Sequence, residues 1–463
     1  MPVNDARRSL VHHPDFRRLW TGDALGQLGA QLTYLALPVF AVKHLEATEW
    51  QMGALTAAET AAFLVIGLPA GAWVDRMRKR RVLIFSDLVR AAVLAIVVVA
   101  AFTDQATMPL LIVAGLIISA ASVFFDVAHQ SYVPGLVGLE HIVEGNSKLQ
   151  ATQSVAQVVA PAVGGALLRV ISAPALIAVN VVTYLVSAFA VGRITHREEP
   201  PSPESRRPLR TEIAEGMRFV VHQPYLRRIV ACTGLSNFGS AITNAVFVIF
   251  ALRTLGLSTA AFGTAMSASA IGGLLGAVTA DRFARWIGEA RVIPIAALAC
   301  VPAVALTPLA AVTSLPPQTL IIVGGFTLSF CVVVYNVAQV SFRQRVCPPA
   351  LLGRMNASVR FIVWGCMPIG GLLGGWLGTH LGVKPTMWVA VGVTALATLP
   401  VVLGPFLGMR DLPGLPDEAP ADSADASDTT PSDDAPMNPA PDDTTVAATS
   451  TAPTEAPGTS PVE

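Results

Sequence analysis

Two stretches with the same pattern, HHPDFRR at residues 12–18 and HQPYLRR at residues 222–228, decide how this chain folds. Residue 12 corresponds to residue 222, an offset of 210 that continues without gaps through the apolar segment after each stretch. The offset recurs where DVAHQSY at residues 126–132 matches NVAQVSF at residues 336–342, and where Gly164-Gly165 matches Gly374-Gly375. The chain therefore consists of two related halves.

The chain is strongly apolar: 53% of its 463 residues are hydrophobic, only 13% are charged, and the mean hydropathy is +0.58. These values exclude an ordinary soluble globular protein. A helix needs about 20 predominantly apolar residues to cross a bilayer. Segments of that length lie at residues 18–43, 52–74, 82–102, 108–130, 147–168, 173–193, 229–252, 260–281, 292–312, 318–342, 355–377 and 386–408. We therefore predict an all-α membrane protein with twelve transmembrane helices.

The two copies are separated by an even number of predicted spans, so both halves have the same orientation and are related by an axis normal to the membrane. We expect two six-helix bundles, residues 1–193 and 229–410, with a central pathway between them. A cytoplasmic loop at residues 194–228 joins the bundles, and Thr211–Val221 within it is predicted to form a short amphipathic helix. Residues 411–463 are acidic and rich in Pro, Ala, Thr and Ser, and this composition predicts a disordered cytoplasmic tail.

Basic residues are concentrated on one side of the predicted membrane. That side carries Arg7, Arg8, Arg17, Arg18, the cluster at residues 76–81, eight arginines between residues 193 and 228, and Arg282, Arg285, Arg291, Arg343, Arg345 and Arg354. The other side has Lys43, Arg169, Arg253 and Lys384. The positive-inside rule then places both termini in the cytoplasm of a multi-pass protein of the cell membrane. Twelve of the 31 acidic residues follow Arg410, so residues 1–410 carry +12, a charge expected to contact anionic membrane lipid.

The loop after the second predicted span reads GAWVDRMRKRR at residues 71–81. It resembles the loop signature of the major facilitator superfamily, G-x-x-x-D-R-x-G-R-[KR], with Arg78 at the position of the second glycine. FFD at residues 124–126, Pro134, Asn146 and APAVGG at residues 160–165 resemble the branch that contains enterobactin exporters and macrolide-efflux proteins. This resemblance implies the major facilitator fold and an efflux function.

The resemblance also implies a charged latch on the cytoplasmic side. In it Gly71 would permit a close helix approach, Asp75 would accept hydrogen bonds, and Lys79 would reach the acidic Asp126 on the fourth helix. Arg76 completes the latch, and Asp87 and Arg90 lie near it in sequence. The alternative is an ordinary positive loop flanked by snorkelling charges.

Three acidic residues are candidates for proton coupling: Glu59, Asp23 and Asp126. Glu59 is the strongest, because it lies within hydrocarbon depth, where an unpaired carboxylate is costly. The alternative for Glu59 is a protonated or hydrogen-bonded carboxyl that serves packing alone. Asp23 lies close to the inner end of its helix and could instead pair with Arg17 or Arg18, and Arg360, also near an inner end, is expected to snorkel.

Polar residues at helical spacing predict the lining of the pathway. Asp23, Gln27, Gln31 and Tyr34 fall on one face of the first helix, since they are spaced by about whole turns. The candidates for contact with substrate are Gln27, Gln31, Tyr34, Gln153, Gln157, Asn180, Asn237 and Asn244. The alternative is that these amides form hydrogen bonds between helices, worth about 0.6 kcal/mol each. Pro161, Gly164, Gly165, Gly374 and Gly375 are predicted to let helices pack closely.

These features predict a secondary exporter of small lipophilic or amphipathic molecules that works by alternating access with proton antiport. One alternative is a proton-coupled uptake symporter; another, of a different class, is a non-transporting receptor or a membrane enzyme. The sequence has no HExxH, no Walker motif and no CxxC, so we expect no enzyme, cofactor or metal site. The expected partners are a small-molecule substrate, protons and membrane lipid, with no nucleic acid, and the protein is expected to be a monomer.

Overall fold

In the computed structural model of the protein, the described residues are 10–138, 141–196, 198, 209–348 and 351–410. The predicted tail at residues 411–463 and residues 199–208 of the predicted loop lie outside them. The first half contains α1 Pro14–His44, α2 Glu49–Val65, α3 Gly67–Asp75, α4 Lys79–Phe102, α5 Met108–Val137, α6 Ile142–Leu167 and α7 Ala173–Gly192. The second half contains α8 Leu209–His222, α9 Pro224–Ile249, α10 Thr259–Ile287, α11 Glu289–Leu309, α12 Pro317–Val346, α13 Leu352–Leu381 and α14 Val383–Val402.

Ten of the described helices are long and apolar enough to cross a membrane: α1, α4, α5, α7 and α9 to α14. The predicted second span is covered by α2 and α3 together, and the predicted fifth span by α6. The described residues are thus consistent with the predicted twelve crossings in a helical membrane protein.

The repeated pattern that opens each half starts a helix by the same local chemistry. His13 Nδ1 accepts a hydrogen bond from the backbone N–H of Phe16 at 3.1 Å, and Gln223 Oε1 accepts one from Leu226 at 2.6 Å. Pro14 and Pro224 follow these N-caps at the first helical position, where proline has no N–H to leave unpaired.

The predicted second span is broken rather than continuous. α2 ends at Val65 and α3 begins at Gly67, with Ile66 as the residue between them. Pro69 has no backbone N–H to continue the helical ladder, and Gly67 is a poor helix former, so helix is weakest at this point. The apolar run at residues 52–74 therefore contains two helices.

Glycines allow the helix backbones of the two halves to pack closely. A Cβ added to Gly53 on α2 would lie 2.6 Å from Gly375 Cα on α13, and one added to Gly263 on α10 would lie 2.6 Å from Gly165 Cα on α6. Gly53 and Gly263 are equivalent under the offset of 210, as are Gly165 and Gly375. The same close contact is therefore made twice, once on each side of the axis that relates the halves.

The neighbouring glycines pack within each half. A Cβ on Gly164 would lie 3.0 Å from Leu32 Cδ2 on α1, and one on its counterpart Gly374 would lie 2.7 Å from the Ile242 carbonyl on α9. Each Gly-Gly pair thus brings its helix close to one neighbour in its own half and one in the other half. Pro161 lies in α6, but its side chain is outside the described part of the chain.

The predicted amphipathic helix is present as α8, which packs on α13. A Cβ on Gly216 would lie 2.5 Å from the Arg354 carbonyl, so the two backbones are in close contact. Glu215 forms an ion pair with Arg354 across the same contact. α8, the described helix of this connection, is therefore held against the second half at the end where α13 begins.

Candidate transport pathway

A buried ion pair lies inside the first half. Asp87 and Arg90, one turn apart on α4, pair with each other while remaining 1% and 6% exposed. The Arg90 guanidinium carbon lies 4.3 Å from the centre of the Phe125 ring and 4.4 Å from that of Tyr184. The two rings and the carboxylate together compensate the cost of a cation inside the membrane.

Asp23 lies beside this pair and faces a histidine. Its Oδ1 is 3.8 Å from His129 Nε2, and the carboxyl is within electrostatic range of Asp126 and Arg90. His129 in turn stacks on Phe125, with ring centres 5.8 Å apart. Within the described part of the chain Asp23 pairs with neither Arg17 nor Arg18, and Arg18 Nη1 pairs instead with Asp15 at 2.6 Å.

Asp126 joins the two halves. Its Oδ2 accepts a hydrogen bond from Arg360 Nη2 on α13 at 2.6 Å, and the Arg360 guanidinium carbon lies 5.4 Å from the centre of the Phe63 ring. The prediction that Arg360 snorkels towards the interface is therefore wrong. Phe63 also packs on Trp364, with ring centres 5.3 Å apart, so an aromatic contact between α2 and α13 accompanies the ion pair.

The latch implied by the resemblance differs from the observed contacts. Asp126 pairs with Arg360 rather than with Lys79, and a Cβ on Gly71 would meet nothing within 4 Å, so the close helix approach expected at Gly71 is absent. Arg76 is exposed, and the Asp75 side chain is outside the described part of the chain.

An acidic residue that the sequence did not single out holds the start of α4. Glu198 accepts hydrogen bonds from the backbone N–H groups of Lys79 at 2.8 Å and Arg80 at 3.3 Å. The Arg80 side chain donates to the carbonyls of Val191 and Gly192 at the end of α7. A carboxylate at a helix N-terminus is favourable. The sequence does not single out Glu198, because the loop at residues 194–228 also contains Glu199, Glu204, Glu212 and Glu215.

Glu59 is half-buried on α2 against α5. A Cβ on Gly115 would lie 3.3 Å from Glu59 Cγ, so a glycine on α5 leaves the space that the carboxyl side chain occupies. Tyr34 is within electrostatic range of this carboxyl. Among the described residues, Glu59 has no hydrogen bond or ion pair, which sets it apart from the paired Asp87 and Asp126.

Tyr34 and Asn244 lie on the axis between the halves. Asn244 Nδ2 donates to the Tyr34 hydroxyl at 3.2 Å, and the two residues are equivalent under the repeat. Because a residue that contacts its own counterpart must lie beside the symmetry axis, this pair marks the axis between the halves. Tyr34 is 55% exposed, so its ring faces open space there.

The other predicted pathway residues divide into two groups. Asn180 and Asn237 form hydrogen bonds between helices: Asn180 donates to Thr33 Oγ1 at 2.7 Å, and Asn237 donates to the Val363 carbonyl at 3.0 Å. Gln27 bonds to Asp23. The rest keep accessible side chains: Gln31 and Gln153 are half-buried and Gln157 is exposed.

The family profile described as Major Facilitator Superfamily matches residues 19–368 and 229–451. The chain belongs to the major facilitator superfamily. It is therefore a multi-pass membrane transporter rather than an enzyme.

Relatives of this major facilitator protein include three named as efflux proteins or exporters. Macrolide efflux protein A of Streptococcus pyogenes is 23% identical over 398 residues, covering 84% of this chain and 94% of the relative. Multidrug efflux pump Tap of Mycolicibacterium fortuitum is 27% identical over 379 residues, covering 77% and 88%. Enterobactin exporter EntS of Citrobacter koseri is 22% identical over 419 residues, covering 89% and 97%.

Solved structures show the same fold. The nucleoside transporter NupG superposes with a TM-score of 0.69 at 14% identity, covering 84% of this chain and 99% of its own. A bacterial homologue of the iron transporter ferroportin, in its inward-facing state, gives a TM-score of 0.67 at 16% identity and covers 86% and 99%.

Proposed function

We propose that this major facilitator protein exports small lipophilic or amphipathic molecules by alternating access, driven by proton antiport. The observation that carries the proposal is Glu59. This acidic residue lies in the membrane-embedded part of a transporter with two related halves, and it has no hydrogen bond or ion pair to another described residue. Export is supported by the macrolide, multidrug and enterobactin exporters to which the chain is similar. The basic end of the helices, which carries Arg17, Arg18 and residues 76–81, is placed in the cytoplasm.

Alternating access requires contacts between the halves that break at one end when they form at the other. At the end away from the basic residues, Arg253 donates to the carbonyls of Val42 and Ala47 at 2.9 and 2.8 Å, and Arg169 donates to Thr264 at 2.7 Å. The two glycine contacts close the same end. Nearer the basic end, Asp126 and Arg360 hold the halves together. Both sets are formed in this structure, and we expect the carrier to break one set at a time during transport.

Proton coupling follows from the charge balance inside the membrane. Asp87 is neutralised by Arg90 and Asp126 by Arg360. Among the described acids proposed for coupling, Glu59 and Asp23 are left without a fixed cationic partner, since His129 is charged only when protonated. A carboxylate in hydrocarbon surroundings is costly, so it binds a proton or a cationic ligand before the halves move. Competition between proton and substrate for Glu59 would couple the two fluxes.

The test is transport by inside-out vesicles. A panel of lipophilic dyes and antibiotics is offered under an outward-directed proton gradient, with the vesicle lumen acidic, to the wild type, to Glu59→Gln and to Asp104→Asn, a control acid in an exposed loop. We expect gradient-driven uptake by the wild type and the control, its collapse with a protonophore, and its loss in Glu59→Gln.

Two results would contradict the proposal in different ways. Gradient-driven uptake that persists in Glu59→Gln would remove Glu59 from coupling and leave Asp23 or Asp126 as the coupling acid. Accumulation only by right-side-out vesicles would show a proton-coupled importer instead of an exporter.

A further inference from the structure

A large groove lies outside the pathway, between α4 and α5. Its volume is about 910 Å³, and its walls are apolar: Val82, Phe85 and Val89 on α4, and Ile117 and Phe124 on α5. Arg78 and Arg81 line the end of the groove near the start of α4. We call this feature the α4–α5 groove; none of the predicted pathway residues line it.

The α4–α5 groove opens on the lipid-facing surface. Phe85 is 69% exposed and belongs to a stripe of exposed apolar side chains on α4 that continues through Leu88, Ile96 and Val99. Ile117 belongs to a similar stripe on α5, with Val113 and Leu116. In a protein of this class, exposed apolar stripes on spanning helices contact acyl chains, so the groove is open to the bilayer.

The two arginines of the groove are free to bind an anion. Arg78 and Arg81 are both exposed, and neither has a hydrogen bond or ion pair from its side chain to another described residue. Their neighbour Arg80 differs, because its side chain is committed to carbonyls at the end of α7. Arg78 stands where the family's loop signature has a glycine, so this chain supplies a cation at a position where that signature has no side chain.

We propose that the α4–α5 groove binds an anionic phospholipid, with an acyl chain against Phe85 and Ile117 and the phosphate between Arg78 and Arg81. Guanidinium groups suit phosphate because they donate paired hydrogen bonds to it. Basic pockets between spanning helices, at the level of the headgroups, are suited to anionic lipid. A neutral or cationic lipophilic substrate would fit the apolar walls but would leave two unpaired cations at the mouth.

The test measures binding of phosphatidylglycerol and phosphatidylcholine to the purified full chain, delipidated in a neutral detergent, by native mass spectrometry. We expect phosphatidylglycerol to bind the wild type more tightly than phosphatidylcholine. Each of Arg78→Ala and Arg81→Ala should weaken phosphatidylglycerol binding about fivefold, and the double variant about 25-fold. Arg76→Ala is the matched control, since Arg76 is exposed in the same turn but does not line the groove.

A separate variant tests the apolar wall of the groove. Ala120 on α5 lines the groove, and Ala120→Trp should fill it and weaken binding of both lipids while both arginines remain. Size-exclusion chromatography shows whether this variant folds, and the arginine variants, which change exposed side chains, test the site independently of it.

Three outcomes would overturn the proposal. The first is equal affinity for the two lipids. The second is an equal loss from Arg76→Ala and Arg78→Ala, which would show a diffuse effect of the basic surface. The third is displacement of bound phosphatidylglycerol by a lipophilic dye that binds equally well to the wild type and to the Arg78→Ala and Arg81→Ala variants. That result would show that the groove is a substrate entrance.

Discussion

Arg90 and Arg360 are stabilised in different ways. Arg90 has its carboxylate one turn away on the same helix, a spacing that is visible in the sequence. Arg360 pairs with the carboxylate of Asp126, which lies 234 residues away in the other half, and no local sequence pattern predicts that pairing. For this reason the sequence led to the wrong expectation for Arg360. It placed Asp87 and Arg90 near the predicted latch but did not predict that they pair with each other. The contacts of Arg90 with the rings of Phe125 and Tyr184 could not be predicted from the spacing of residues in the sequence either.

Truncation of Arg90 tests the buried pair. Arg90→Ala leaves Asp87 buried without its cation and removes the contacts with both rings, so we expect a loss of about 3–5 kcal/mol in the free energy of unfolding. The double variant Asp87→Asn/Arg90→Gln removes both charges and should lose less than the single variant. Denaturant unfolding in detergent measures both, with the exposed Arg78→Ala as a control expected to change stability by less than about 0.5 kcal/mol. A double variant as unstable as Arg90→Ala would contradict this account.

Helices in this protein are specified partly by runs of apolar residues and partly by a few local positions. The N-cap and proline pairs at residues 13–14 and 223–224 start α1 and α9, and the repeat in the sequence made both starts predictable. The division between α2 and α3 was not predicted. The length of an apolar run predicts a membrane span, but it does not take account of the helix-weakening residues Gly67 and Pro69 within the run. The acid that holds the start of α4, Glu198, comes from a loop distant in sequence.

The glycine contacts give a prediction for the elements they join. Gly53→Ala places a Cβ 2.6 Å from Gly375 Cα, and Gly263→Ala places one 2.6 Å from Gly165 Cα. Either change forces the halves apart at the end away from the basic residues, so both variants should slow transport to a similar degree. Gly392→Ala on α14 is the matched control, because a Cβ there meets nothing within 4 Å. Transport rates of the three variants and the wild type are compared in vesicles, normalised to the amount of protein in the membrane. Unequal effects of Gly53→Ala and Gly263→Ala would show that the two contacts are not equivalent in function.

At the scale of the whole molecule, the repeat was the most informative feature of the sequence. It predicted two bundles in one orientation, and the paired glycine contacts and the Tyr34–Asn244 hydrogen bond show that symmetry in the structure. The sequence could not assign the amides to roles. Asn180 and Asn237 bond between helices, whereas Asn244 lies on the axis, and this depends on which helices are neighbours rather than on the spacing of polar residues.

A cross-link across the axis should arrest the carrier. Tyr34→Cys and Asn244→Cys, in a chain whose five native cysteines are replaced, would be bridged by a short bis-maleimide. The bridge holds the halves together at the centre, so we expect transport to stop in the bridged protein and to persist in each single-cysteine variant treated identically. The bridge is detected by cleaving the chain between residues 199 and 208 and running a denaturing gel, on which the two halves migrate together only when they are cross-linked. Undiminished transport by fully bridged protein would contradict movement of the halves about this axis.

The pair on the axis has one more consequence. In a dimer of identical chains with an isologous interface, a residue on the symmetry axis meets its own copy, so a phenol can face only another phenol. In this transporter the two sides of the axis are encoded by separate codons of one gene, and the ring of Tyr34 faces the carboxamide of Asn244. The molecule therefore presents two chemically different groups to an asymmetric ligand at the one place where strict symmetry would have imposed identical ones.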